Sequence, residues 1–217
     1  QMGRGLTGML VVEDDENPGF DQDLPLNIRD FRLGEDGRFI SFYRPRAAAR
    51  GGTLGTVSTV NWAVEPVYDL PAGSLVRLRL AVTDMTRVGI YDLAGGAAQV
   101  IALDSNPLPG SNPRPWPITA EGIILAPGQR ADIAPRMPDA EGEPVTLNLR
   151  LPQGPKPLLL LRATVATPPR APPELAPPPP HPLAHPEPAT PQLLVSVFSS
   201  SPPRHPPVSP YHFQSGY

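Results

Sequence analysis

Residues 69–108 read DLPAGSLVRLRLAVTDMTRVGIYDLAGGAAQVIALDSNPL, and their periodicity decides the fold class. Val76, Leu78, Leu80 and Val82 alternate with Leu75, Arg77, Arg79 and Ala81, the two-residue period of a strand with one face in a core and one in water. Pro71, Ala72 and Gly73 make the turn before it. After a polar break at Thr83 to Thr86, Val88 to Leu93 reads as a second strand, and Gly95 and Gly96 lead into a third, Gln99 to Leu103. Strands that follow one another through short turns are an antiparallel all-β signature. Nothing in this block is a catalytic motif.

Upstream, Leu10 to Val12 follow Gly3, Gly5 and Gly8 and read as a terminal strand, ending in the acidic loop Glu13 to Glu16. Leu24, Leu26 and Ile28 alternate with Pro25, Asn27 and Arg29 as the next strand, and Asp36 and Gly37 turn the chain into another at Phe39 to Tyr43. Arg44 to Gly52 is an arginine-rich surface loop, and Leu54 to Val60 resumes an apolar run before Asn61 and Trp62. Downstream, Pro107 to Pro117 is a proline-rich loop carrying Trp116. Ile123 to Leu125 and Arg130 to Ile133 read as partner strands about the Pro127-Gly128 turn. Val145, Leu147, Leu149 and Leu151 alternate with Thr146, Asn148 and Arg150 as the last clear strand, and Leu158 to Leu161 adds an edge strand. About nine strands at short spacing suit a two-sheet sandwich.

Composition limits where that sandwich ends. Seventeen of the 34 prolines lie between Pro168 and Pro210, a density that excludes helix interiors and central strands because proline lacks the amide donor. PPELAPPPPHPLAHPEP is therefore an extended, polyproline-like linker. Leu193 to Phe198 would form one further strand. A net charge of −3 provides no basic field for nucleic acid or an anionic membrane, and no apolar run approaches the ~20 residues that span a bilayer. Cysteine is absent, which removes disulfides, thiolate nucleophiles and cysteine-ligated metals from this chain.

Several segments together resemble the multicopper oxidases of the bacterial laccase type, which are built from cupredoxin-like sandwiches. QMGRGLTGMLVVED at 1–14 is similar to the family's stretch just after a copper-binding histidine strand of the first domain. LPLNIRDFRL at 24–33 resembles the opening of the second domain. TLGTVSTVN at 53–61 resembles its Val-Asn hairpin, with Trp62 where glycine usually follows. LPAGSLVRLRL, AAQVIALDSNPL and LAPGQRADI are similar to the remaining second-domain signatures, and PPPPHPLAHPEPATPQLLVSVF to the connection into a third domain. The resemblance covers residues 1–198 in order. It implies a Greek-key cupredoxin-like β-sandwich with a disordered proline-rich C-terminal tail. The implied divisions are a remnant of a preceding domain at 1–16, the second domain at 17–165, a linker at 166–192, and a truncated third-domain start or tail at 193–217.

In the family, copper is held by His-x-His pairs of the first and third domains and by a cysteine with histidines of the third. Imidazole and thiolate are the donors that suit it. None of those motifs is present. His181 and His185 have the four-residue spacing of one helical face, but Pro182 and Pro186 remove the helix, so they belong to the linker, and His205 and His212 lie beyond it. Met2, Met9, Met85 and Met137 do not cluster as a copper-handling patch and read as packing or terminal residues. Asp14, Asp30, Asp92, Asp104 and Asp132 are spread over strand ends with no acid/base pair among them. The expectation is thus no catalytic, cofactor or metal residue in this chain, with copper implied only for the full-length family. The expected partners are neighbouring cupredoxin domains or a second copy, since a truncated first domain leaves an unpaired sheet and an apolar face. Two other readings stand beside this one: a non-catalytic binding module whose proline-rich tail recruits an SH3-like groove, and an enzyme completed by copper ligands from another chain. The resemblance implies export to the periplasm or outside; the residues themselves carry no address.

Overall fold

The computed structural model describes residues 2–12, 19–85, 87–108 and 122–165. The chain divides into two units, Gln1–His181 and Pro182–Tyr217, and all described residues lie in the first. Eleven strands are described there, with one turn of 3-10 helix, Met2–Arg4, and one four-residue helix, α1 (Pro45–Ala48). The strands are β1 (Gln22–Phe31), β2 (Val57–Val60), β3 (Val67–Pro71), β4 (Val76–Val82), β5 (Gly89–Ala94) and β6 (Ala98–Leu103). The remainder are β7 (Asn106–Pro107), β8 (Ile123–Leu125), β9 (Arg130–Pro135), β10 (Pro144–Leu151) and β11 (Gly154–Thr164). They form two sheets, ordered β2-β1-β4-β9-β6-β7 and β3-β11-β10-β5-β8. This is the expected all-β, cupredoxin-like sandwich.

The apolar faces of β4 and β10 lie inward as read: Val76, Leu78, Leu80, Val145, Leu147 and Leu149 are all buried in one core with Leu26, Tyr91, Ile133, Leu159 and Leu161, whereas Leu75, Ala81 and Asn148, read onto the opposite faces, are buried as well. Full burial of each such side chain stabilises by roughly 1.5–3 kcal/mol. The pairing differs from the sequence expectation. β4, β5 and β6 are consecutive but none pairs with the next: β4 and β6 both pair with β9 in one sheet, while β5 lies in the other. Likewise β8 pairs with β5, and β9 with β4 and β6, so Ile123–Leu125 and Arg130–Pro135 are not partners. Two pairs are parallel, β1 with β4 (Leu26 opposite Leu80) and β11 with β3 (Leu161 opposite Tyr68). Strand period reports which face a residue occupies and carries no information about which strand lies alongside.

Three local expectations are corrected. Leu10 and Val12 are not in a strand and stand 92% and 75% exposed. Phe39 to Tyr43 does not form a strand either; one bridge, Leu33 to Phe39, closes the turn at Gly37. Leu158 to Leu161 is no edge: β11 is eleven residues long and lies between β10 and β3. Pro155 and Pro157 fit within it because pairing to β3 starts only at Leu160, and the β10 ladder shifts register at Leu147/Asn148, beside Pro157. The Arg44 to Gly52 loop holds α1. Residues 13–18, 109–121 and 166–217, and with them Asp14, Trp116, the four histidines, the proline-rich tail and the Leu193–Phe198 strand, lie outside the described residues.

The hairpin after β2 is closed by the single pair Asn61-Trp62, with Val60 and Ala63 exchanging backbone hydrogen bonds of 2.9 and 3.0 Å. Both loop residues have positive φ, 50° and 65°, the geometry that favours Asn-Gly. Asn61 fits because its side chain replaces a ladder partner for β1: its Oδ1 accepts from the Asn27 amide (2.9 Å) and its Nδ2 donates to the Pro25 carbonyl (2.9 Å). Trp62 has no such compensation within the turn.

Candidate functional site

The polar residues that the fold draws together lie beside β1, where it meets β2 and the β4–β5 connection. Arg29 and Asp30 come from β1, Ser58 from β2, Thr83, Asp84 and Arg87 from the connection, and Lys156 from β11. Asp30 receives Arg87 Nη2 at 2.9 Å, the Ser58 hydroxyl, and the Gly55 amide at 3.3 Å. Lys156 Nζ donates to Ser58 Oγ at 2.8 Å. Asp84 accepts the Asp30 amide at 2.8 Å and lies 3.9 Å from Arg87 Nη2. Arg29 Nη1 donates to the Thr83 carbonyl at 2.8 Å. Asp30, Asp84 and Arg87 side chains are all below a tenth exposed.

Burial sets the electrostatics. Desolvation, with Asp30 as a neighbouring like charge, raises Asp84 to about 6, against the pull of Arg87 and Arg29. Desolvation also lowers Arg29, with Asp84 acting the other way. Tyr91, fully buried on β5, has its phenol pushed up, chiefly by burial. The Tyr91 hydroxyl has no hydrogen-bond partner among the described residues. Tyr91→Phe is therefore expected to raise stability by about 1 kcal/mol, because it removes a desolvated hydroxyl without removing a bond. Urea unfolding measures this, and a loss of a kilocalorie or more would contradict it.

Gly3, Arg29, Asp30, Phe42, Gly55 and Asp84 line a cavity of about 30 Å³ here. That is room for one or two water-sized groups and too little for an organic substrate. Among the described residues Asp30 and Asp84 form a pair of buried carboxylates; both are engaged by arginine, and the Ser58 hydroxyl that faces Asp30 is itself held between Asp30 and Lys156. The cluster's chemistry is that of a fastener between β1, β2 and the β4–β5 connection.

The other aspartates read from the sequence are dispersed. Asp132 on β9 binds Arg77 on β4, and Asp23 on β1 binds Arg79 at 2.7 Å. Asp92 on β5 meets Asn148 and Arg150 on β10, each at 3.0 Å. Asp104 accepts the Arg130 amide at 2.9 Å. Met137 is buried in the core region, Met9 is half-buried and Met85 is half-exposed. Sequence reading named Asp30 but passed over Asp84, inside the polar break Thr83 to Thr86, and Arg87, directly after it. Their i,i+3 spacing between two apolar strands was the available signal.

The described residues contain neither histidine nor cysteine. No group of three or more carboxylates among them could hold a metal ion. A donor set of arginine-bound carboxylates does not fit copper, which takes imidazole and thiolate.

No family model matches the chain. A multicopper oxidase of Pseudomonas thermotolerans is 39% identical and superposes with a TM-score of 0.73, over 86% of this chain and 43% of that one. In sequence and in fold the chain is similar to the multicopper oxidases. A second multicopper oxidase, from Pseudomonas parafulva, is 37% identical with a TM-score of 0.66, over 79% of this chain and 42% of the other. Among curated proteins, the cell division protein FtsP of Pectobacterium atrosepticum is 34% identical over 151 residues, 66% of this chain and 29% of that protein. The chain thus spans less than half of these solved multicopper oxidases and less than a third of that curated relative. No helix among the described residues is long and apolar enough to cross a membrane.

Proposed function

We propose that this chain is the copper-free second domain of a multicopper oxidase-type protein, residues 17–165, with residues 1–16 as the end of a preceding domain, 166–192 as a linker and 193–217 as the lead into a third. Its work is to hold outer domains in register rather than to carry chemistry. The observation that supports this reading is the donor set: a sandwich of the oxidase type whose buried acids are each tied to arginine and whose described residues offer copper no imidazole. The complete family member would couple one-electron oxidation of its substrate to reduction of dioxygen to water, with copper bound by residues of the other domains, and would work outside the cytoplasm. Loading the purified chain with Cu(II) and recording absorbance near 600 nm and oxygen uptake tests it. The expected result is neither a blue band nor oxygen consumption. Either one at near-stoichiometric copper would overturn the proposal, and their appearance only after adding a second chain would support an enzyme assembled in trans.

A second reading is favoured by the FtsP likeness: a sandwich that serves cell division by binding a partner, without redox chemistry in any of its domains. Copper content of the full-length protein separates the two, since this second reading requires none.

A further inference from the structure

One end of the sandwich carries a cradle of large side chains filled by the chain's own N-terminal segment. A Cβ on Gly3 would stand 2.8 Å from the Met85 sulfur and 3.3 Å from the Phe42 ring. Gly5 has a φ of +99°, and a Cβ there would stand 3.2 Å from the Phe31 ring and 3.7 Å from Trp62 Nε1. Gly5 is closed to ordinary side chains chiefly by its φ, which L residues rarely adopt, while at Gly3 a side chain would need the Met85 thioether to move aside. Arg4 lies over the Phe39 ring at 5.8 Å. Thr7 Oγ1 accepts from Asn27 Nδ2 at 3.3 Å, the segment's polar tie to β1. Gly8, by contrast, has open space around it.

Two further features point to a ligand held in a site rather than an element of the fold. Among the described residues, no backbone hydrogen bond joins residues 5–12 to any strand; the Thr7 amide bonds the Gly5 carbonyl within the segment itself. Side-chain contact alone retains it, which places it at the low-stability end of the molecule. Trp62 occupies a left-handed turn position that glycine would fill without strain, and its indole reaches Gly5. Strain of this kind persists where the side chain has work to do.

We propose that this end of the sandwich is a peptide-binding site selective for a Gly-x-Gly segment, and that residues 3–7 fill it as an exchangeable strap which the same segment of a second copy can replace. The walls are Phe31, Phe39, Phe42, Trp62 and Met85. The selectivity lies first at Gly5, whose φ of +99° excludes L side chains, and second at Gly3, where a side chain would have to displace the Met85 sulfur. The proposal deepens the scaffold reading and rests on it only in assigning the strap to a preceding domain.

The test uses the full chain carrying Trp116→Phe, so that Trp62 is the single indole. In that background Gly5→Val is expected to speed tryptic cleavage after Arg4, followed by mass spectrometry, at least tenfold, while Gly8→Val leaves it unchanged. Added peptide QMGRGLTGML is expected to shift Trp62 emission saturably in the Gly5→Val chain, and the same peptide with valine at its third and fifth residues to have no effect. Equal protection of Arg4 in Gly5→Val, equal exposure in Gly8→Val, or equal binding of the valine peptide would each overturn the proposal. So would loss of the sandwich's circular dichroism in Gly5→Val, because an exchangeable strap is not required for folding. The measurement uses no metal, so its failure leaves the copper test standing.

Discussion

Arg87→Ala is expected to cost the sandwich about 3–5 kcal/mol, the range for removing one partner of a buried ion pair. Arg87 reaches Asp30 at 2.9 Å and Asp84 at 3.9 Å, and all three side chains are buried. Without the guanidinium, two carboxylates are left side by side, with Lys156 reaching Asp30 only through Ser58 and Arg29 the remaining cation acting on Asp84. Against the total of roughly 5–15 kcal/mol typical of folded domains, such a loss is large. Urea denaturation reads it as a fall in midpoint at constant slope. The companion is a double-mutant cycle: Asp84→Asn in the Arg87→Ala background should recover a kilocalorie or more, since one of the stranded charges is gone. Simple additivity of the two substitutions would show that these residues do not act together.

Asp84 alone gives the second large effect, and its sign is opposite to that of most native carboxylates. Its pKa rises from an ordinary 3.8 to about 6 on folding, so the folded chain holds that proton more tightly than the unfolded one. The stabilisation from this group is complete below the unfolded value and is lost as pH rises through about 6. A shift of that size corresponds to roughly 2–3 kcal/mol. Asp84→Asn keeps an acceptor for the Asp30 amide and removes the desolvated charge. It is expected to unfold at a higher temperature than the parent at pH 8, with the difference closing towards pH 4. Parallel melting profiles for the two proteins from pH 4 to 8 would refute the assignment.

Both effects arise in residues that the sequence displayed without interpreting. The alternation of β4 and β10 was legible because period two is written directly into the choice of side chain, and those strands keep their apolar face inward. β1 was harder: Leu26 and Ile28 point to the core as read, but Asn27 and Arg29 are buried as well. Thr7, Asn61 and Thr83 satisfy them from other elements, and no local pattern announces such cover. The Phe39–Tyr43 stretch has strand propensity and no partner edge, so it remains a wall of aromatic rings. Asp30, Asp84 and Arg87 meet only because β1 and β4 run parallel, a pairing between segments some fifty residues apart. The absence of cysteine was legible from composition alone.

The order of strands in the second sheet also governs how the chain can acquire its structure. β11 and β10 occupy the middle of that sheet, between β3 and β5, yet they are the last of the described strands in chain order. During synthesis β3 and the β5–β8 pair emerge with no strand to join them, and only the arrival of residues 144–164 gives them a common template. Topologies dominated by such distant contacts fold in milliseconds to seconds rather than microseconds. The nascent polypeptide consequently spends that interval with unsatisfied apolar strands on display, and a chain cut before residue 144 would lack both strands at the centre of the second sheet.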